Sequence, residues 1–221
     1  MPKYDGVSSS VIRRLPRYYR FLGELMESGV TRISSRELAE RMGLTASQIR
    51  QDLNCFGGFG QQGYGYNVAL LHKEIDRILG LSKGIRTILI GAGNLGRAIA
   101  NHMSFENKGF NLIGIFDTNP QLTNTILRDV MIQDMDQLDK FCEQNKPEVA
   151  ILCIPPEAAK ELCPRLIQMG VKGFWNFSHY DIHLDFPQAV VENAHLGDSL
   201  MTLCYRINDV SDLEEEENSR E

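Results

Sequence analysis

The chain has 221 residues with a net charge of −6, and it is 43% hydrophobic. That length supports one large or two modest domains with true cores. No run of 18 apolar residues and no signal-like apolar core occur, so an intracellular, soluble protein is expected. The five cysteines (Cys55, Cys142, Cys153, Cys163, Cys204) form no Cys-x-x-Cys pair, which argues against a disulfide framework or a zinc knuckle.

Charge is divided unevenly. Residues 1–80 carry 11 Lys and Arg against 8 Asp and Glu, and residues 81–221 carry 12 against 21. The basic excess at the front permits a nucleic-acid partner without requiring one. After polar residues 1–9, Pro16 to Ser28 reads as a helix stopped by Gly29, with Tyr19, Leu22, Leu25 and Met26 on its core face. Arg13, Arg14, Arg17 and Arg20 cluster at its expected start, where they oppose the helix dipole. Phosphate contact by residues such as Arg14 and Arg17 would account for them, as would a solvated face.

Ser34 with Glu37, and Thr45 with Gln48, are two capping-box spacings on either side of Gly43. Two short capped helices around a glycine turn make a helix-turn-helix. Leu38, Ala39, Met42, Leu44, Ile49 and Leu53 supply its core. Ser47, Gln48, Arg50 and Gln51 are left at the start of the second helix, with side chains suited to base edges. An ordinary αα-hairpin has the same pattern. The glycine- and aromatic-rich stretch from Phe56 to Val68 then predicts a β-hairpin, a wing with Gln61, Gln62 and Tyr64 near its tip. The plainer alternative is a hairpin closing a small core with Phe56, Tyr64 and Tyr66. A helix over 69–79, with Leu71, Ile75 and Ile78 inward, ends the domain, and 80–84 reads as a linker.

The centre of the chain is Arg86 to Ala100. Thr87 to Ile90 is a buried strand, Gly91-Ala92-Gly93-Asn94-Leu95-Gly96 a glycine turn, and Arg97 to Ala100 the body of a helix. This is G-x-G-x-x-G between strand and helix, the context in which it binds a dinucleotide pyrophosphate. A second apolar run, Phe110 to Phe116, ends in Asp117, 21 positions after Gly96, where a carboxylate accepts from ribose hydroxyls and repels a 2′-phosphate. NAD+ and NADH are therefore favoured over their 2′-phosphorylated forms. A polar loop, a helix over 135–144, a strand over 149–154, a helix over 157–169 and a strand over 173–177 follow. This alternation predicts an α/β domain, a Rossmann-like doubly wound parallel sheet binding its ligand at the carboxyl ends. The loops there begin at Gly91, Asp117, Pro155 and Ser178. Candidate cofactor residues are Gly91, Gly93, Asn94, Leu95, Gly96 and Asp117, joined by Ile154, Pro155, Asn176 and Phe177. A last helix over 198–207 has no place in the sheet and is a candidate dimer element. The acidic stretch from 209, with Glu214 to Glu217, reads as a disordered tail.

Leu15 to Arg20, Gln48 to Leu53 through Gly65-Tyr66, Ile90 to Arg97, and Trp175-Asn176-Phe177 together resemble the Rex family of redox-sensing transcriptional repressors. The resemblance covers nearly all of residues 10–208. It implies a homodimer that holds palindromic double-stranded DNA when NAD+ predominates, releases it on NADH, and exchanges the C-terminal helix between subunits. The expected organisation is thus a winged-helix DNA-binding domain (1–80), an NAD(H) domain (85–197), a dimerisation helix (198–208) and the tail (209–221). The chain departs from the family pattern at Gln51, where Lys is usual, and at Gln61 and Gln62, where basic residues are usual. His102 and His195 stand in place of a Tyr–Asp contact between subunits; a pair of histidines meeting there would make the switch pH-sensitive, and two ordinary surface or interface histidines are the plainer alternative. Ser178-His179-Tyr180 replaces a usual Ala-Pro.

No Ser-His-Asp, Cys-His or metal-ligand spacing appears, and His179 with His183 lacks a third ligand. No catalytic or metal site is expected. Three rivals remain open: a small NAD-dependent oxidoreductase with Tyr180 or His179 as proton donor, a CoA-binding module, and a thiol sensor acting through Cys55.

Overall fold

A computed structural model describes residues 6–61 and 64–218, with side chains other than Gln61 up to Asp209. The described residues form two compact units, one of those up to 83 with 107–109, the other of 84–106 with those from 110 onward.

The first unit opens with α1 (Ser9–Glu27), β1 (Arg32–Ile33), α2 (Ser35–Met42) and α3 (Ala46–Asn54). It closes with β2 (Gly60–Gln61), β3 (Gly65–Asn67) and α4 (Val68–Leu79). Helix α1 begins well before the expected Pro16. Val11, Leu15, Tyr18, Leu22 and Leu25 are all buried at alternating four- and three-residue steps, and that stripe carries the helix through the proline. Pro16 is exposed and forgoes its own intrahelical N–H bond. The inward residue is Tyr18 rather than Tyr19, and Met26 is exposed. The arginines therefore lie inside the helix, and the dipole argument for them falls.

Helix α2 carries the full capping box, Ser34 Oγ accepting from Glu37 N–H while Glu37 accepts from Ser34 N–H, and ends on Gly43 in the left-handed region (φ 61°). Helix α3 has only half a box: Thr45 Oγ1 accepts from Gln48 N–H, but the Gln48 side chain turns elsewhere. Strands β1, β3 and β2 form an antiparallel sheet in that order, with β2 and β3 as the wing. Gly65 is needed at its place, because a Cβ would lie 2.5 Å from the Ile33 carbonyl oxygen. Leu15, Tyr18, Leu22, Leu38, Ile49, Leu53, Leu71 and Ile75 form one core.

The second unit runs β4 (Ile85–Ile90), α5 (Asn94–His102), β5 (Phe110–Asp117), β6 (Ile126–Leu127), β7 (Val130–Asp134) and α6 (Leu138–Asn145). It continues with β8 (Val149–Leu152), α7 (Pro156–Gln168), β9 (Gly173–Asn176), α8 (Ile182–Asp185), β10 (Val190–Asn193) and α9 (Leu196–Asn218). The sheet order is β10-β9-β8-β4-β5-β7-β6, parallel except for β6 against β7. The chain moves outward from β4 to β5 and β7, then returns to β8 on the other side of β4. That reversal opens a crevice at the carboxyl ends of β4 and β8.

The expected polar loop contains β6 and β7. Their turn passes through Arg128 and Asp129, both at positive φ (50° and 62°), a tight hairpin turn without its usual glycine. Elements α8 and β10 were also missed. Helix α9 continues to Asn218 through the acidic run expected to be disordered; residues 209–218 contain neither Gly nor Pro, and Glu and Leu are good helix formers. Leu200, Met201, Leu203, Tyr205 and Ile207 on this helix are all more than half exposed. No described helix is long and apolar enough to cross a membrane.

Candidate nucleotide site and recognition surface

At the end of β4, Gly91 turns the chain at φ +93° and donates its N–H to the Phe116 carbonyl at 2.8 Å. A Cβ there would lie 2.4 Å from the Cys153 carbonyl oxygen, and one on Gly96 would lie 1.9 Å from the Gly91 carbonyl oxygen. These two glycines let the loop close on itself. Gly93 differs, since a Cβ on it would meet nothing within 4 Å. Its openness has value only if something outside the chain approaches, as a pyrophosphate does. Gly93 caps α5 through its carbonyl, which accepts from Arg97 N–H, while the N–H groups of Asn94 and Leu95 open the helix. This end presents amides and a partial positive charge to an anion.

Asp117, at the end of β5, accepts from Ala92 N–H on one oxygen (2.6 Å) and Asn119 N–H on the other (2.8 Å). The carboxylate braces the glycine loop and keeps lone pairs for ribose hydroxyls. A cleft of about 280 Å³ lies beside it, lined by Gly91, Asp117, Thr118, Met135, Ile154 and Pro155 among others. These residues fit the adenosine and pyrophosphate of a dinucleotide.

Asn176 does not belong with them. It is fully buried, donating to the Tyr180 carbonyl and Asn193 Oδ1 (2.8 Å each) and accepting from Ser178 N–H and Oγ. Every capacity of that amide is used inside the chain. It ties the loop after β9 to β10. Phe177 packs edge-on against Trp175 and donates its N–H to the Leu152 carbonyl.

The proton-donor candidates of an oxidoreductase are poorly suited. Tyr180 donates to Asp185, and desolvation with that bond pushes the phenol up to about 12, away from neutrality. His179 stacks on His195 (centroids 4.7 Å apart), and His195 Nδ1 faces Asp198 at 3.3 Å. His195 Nε2 is buried without a hydrogen-bond partner among the described residues, whereas His102 is exposed on α5. Among the described residues no three His, Cys, Asp or Glu gather as a metal site. Burial pushes the thiols of Cys153 and Cys163 up to about 12 and that of Cys142 to about 11, which disfavours the reactive thiolate. Cys55 is exposed and its thiol donates to the Gln51 carbonyl.

On the first unit, Ser47, Arg50, Gln51 and Tyr64 are exposed. Arg50 donates to Ser35 Oγ at 3.0 Å, and the Arg32 guanidinium lies over the Tyr64 ring. Arg32, missed in the sequence, thereby adds a cation at the base of the wing. Arg17 is exposed, but its guanidinium also donates to the Met42 carbonyl at the end of α2. Arg14 and Gln48 are not free: both side chains bond to Asp52. The Gln61 side chain and all of Gln62 lie outside the described residues.

A family profile described as Putative DNA-binding protein N-terminus matches residues 6–54, and one described as CoA binding domain matches 82–180. A redox-sensing transcriptional repressor Rex of Thermoanaerobacter pseudethanolicus is 56% identical over 95% of this chain and 93% of its own. The chain belongs to the Rex family. Its Clostridium perfringens namesake is 53% identical over 94% of this chain and 98% of its own. Two crystal structures of the Rex-family repressor RSP superpose with TM-scores of 0.86. One, with NAD+ and operator DNA, is 54% identical and covers 95% of this chain and 96% of its own. The other, with NADH, is 51% identical and covers 95% and 98%. The family assignment makes this chain a redox-sensing DNA-binding repressor with a winged-helix unit and a Rossmann-like unit.

Proposed function

We propose that this chain is a homodimeric, cytoplasmic repressor that holds a palindromic operator with NAD+ and lets it go when NADH binds. The observation that carries this is the pairing, in one chain, of a winged helix with a nucleotide loop that is open at Gly93 and braced by Asp117. Gly91, Gly93, Asn94, Leu95, Gly96, Asp117, Ile154 and Pro155 would receive NAD+ or NADH. Ser47, Arg50, Gln51 and Tyr64, with Arg17 and Arg32, would face DNA. The exposed apolar residues of α9 give a second copy a surface to bury.

The relatives that the chain matches are repressors by name, and the reading gives this chain the same non-enzymatic role. The chain binds its dinucleotide without turning it over. NADH must favour a dimer in which the two recognition helices no longer match half-sites a whole number of helical turns apart. Two nucleotides that bound equally well could signal differently only by stabilising different conformations, so NADH is expected to bind much more tightly than NAD+. The Asp117 carboxylate favours a ribose over the phosphate-bearing sugar of CoA.

Fluorescence anisotropy on a duplex selected from a random pool tests the reading. Release by NADH alone supports it. Tight binding indifferent to both nucleotides would retain the winged helix and reject redox sensing. Turnover of NADH with a carbonyl substrate would favour an oxidoreductase instead.

A further inference from the structure

Helix α3 is short, with nine residues. Its buried residues are Ile49, Asp52 and Leu53, which share one face, so a carboxylate stands among the contacts that set the helix's rotation. Asp52 is 1% exposed. One oxygen accepts from Arg14 Nε (2.6 Å) and the Tyr18 hydroxyl (2.7 Å), and the other from Arg14 Nη2 (2.8 Å) and Gln48 Nε2 (2.9 Å). Those four donors saturate the carboxylate. Arg14 and Tyr18 are one turn apart on α1, so three of the bonds cross from one helix to the other.

Apolar contacts tolerate sliding and rotation, whereas a forked guanidinium–carboxylate pair is directional. The outward residues of α3 are Ser47, Arg50, Gln51 and Asn54, and their angle to a groove follows from how the opposite face is pinned. We propose that Asp52 is the positioning residue of DNA recognition, and that Arg14 and Gln48 hold it in place rather than touching phosphate and base. The inference rests on the repressor reading and refines its contact surface. It removes two residues of suitable chemistry from the readout and leaves sequence discrimination to Ser47, Arg50 and Gln51.

Three full-length variants test it: Asp52→Asn, Gln48→Met and Arg14→Gln. Each is titrated against the selected operator and a scrambled duplex across a salt series, with NADH affinity measured by calorimetry. Misaiming α3 costs base contacts but spares backbone contacts, so Asp52→Asn should lower operator affinity by about tenfold or more while scrambled-duplex affinity stays within about twofold. NADH affinity should not move. Gln48→Met should alter the base preferred at no operator position. Arg14→Gln should leave the salt slope unchanged, where loss of a phosphate contact would reduce it by about one.

The proposal is overturned if Gln48→Met relaxes preference at one base pair, if Arg14→Gln flattens the slope, or if Asp52→Asn weakens operator and scrambled DNA alike. If Asp52→Asn does not fold, the Gln48 and Arg14 outcomes still decide. A wild-type chain that selects no duplex would instead sink the repressor reading itself.

Discussion

The two units each place a carboxylate at the centre of their business, and the two differ in what they have left to give. Asp117 accepts two backbone N–H bonds and borders an open cleft. Asp52 accepts four side-chain bonds and is sealed. Residue type is the same, and so is position near the end of an element. Saturation separates a binding group from a positioning group: a carboxylate with unused lone pairs can recruit a ligand, and one without them can only hold what it has.

The largest expected effects concern the nucleotide loop. Gly96→Ala puts a methyl group 1.9 Å from the Gly91 carbonyl oxygen, so the loop cannot keep its shape. Overpacking of this kind costs about 1 to 3 kcal/mol or more, and NADH binding should vanish in calorimetry along with a fall in melting temperature. Gly93→Ala has open space, so the chain should melt as the wild type does yet still lose NADH affinity through the blocked approach. Equal melting and equal binding in Gly93→Ala would show that no ligand passes there. Asp117→Ala should weaken NADH by about 10- to 100-fold, the range for hydrogen bonds to a charged group. It should also narrow the preference for NADH over NADPH, by removal of the repelling charge.

That contrast also governs what could be read from the sequence. The turn at Gly91 and the close approach at Gly96 were legible because glycine spacing carries them, and Asp117 because it ends the next strand. Two capped helices around Gly43 were legible for the same reason. The partners of Arg14 were not, since Asp52 lies 38 positions away and nothing local marks the pairing. Gln48 was misread because a cap spacing and an i,i+4 carboxylate competed for one side chain, and Asp52 took it. Asn176 looked like a ligand contact because it ends a strand, but Asn193, 17 positions on, completes its burial. Strands β6 and β7 escaped because Arg128 and Asp129 make the turn without glycine.

Acid should separate the two carboxylates by a smaller margin. Burial opposes the charged form of Asp52, but the bonds from Arg14, Gln48 and Tyr18 outweigh it and hold its pKa below the usual carboxylate range. A carboxylate with a depressed native pKa contributes stability that is complete above its unfolded value, about 4, and lost as pH falls through the native one. The helical signal of the first unit should therefore weaken below about pH 4 more steeply in the wild type than in Asp52→Asn, which has no proton to take up. Trp175, the single tryptophan, lies in the second unit and reports that unit's unfolding separately. Parallel acid limbs for wild type and variant would mean that folding does not depress the Asp52 pKa.

The smallest effect is the sharpest control on Asp52. Thr45 Oγ1 accepts from Gln48 N–H at 3.1 Å and caps the recognition helix. Thr45→Ala should cost about 1 kcal/mol, a typical value for an N-cap. In a unit of this size that lowers the melting temperature by roughly 4 to 8 °C. The cap satisfies a backbone donor at the helix end but fixes no angle between α3 and α1. Well below the melting temperature, operator affinity should therefore stay within about twofold of the wild type, since a slightly less stable unit remains almost wholly folded. If Thr45→Ala instead loses operator affinity as steeply as Asp52→Asn does, helix stability alone limits recognition. Asp52 then contributes no more than any other group that keeps α3 folded.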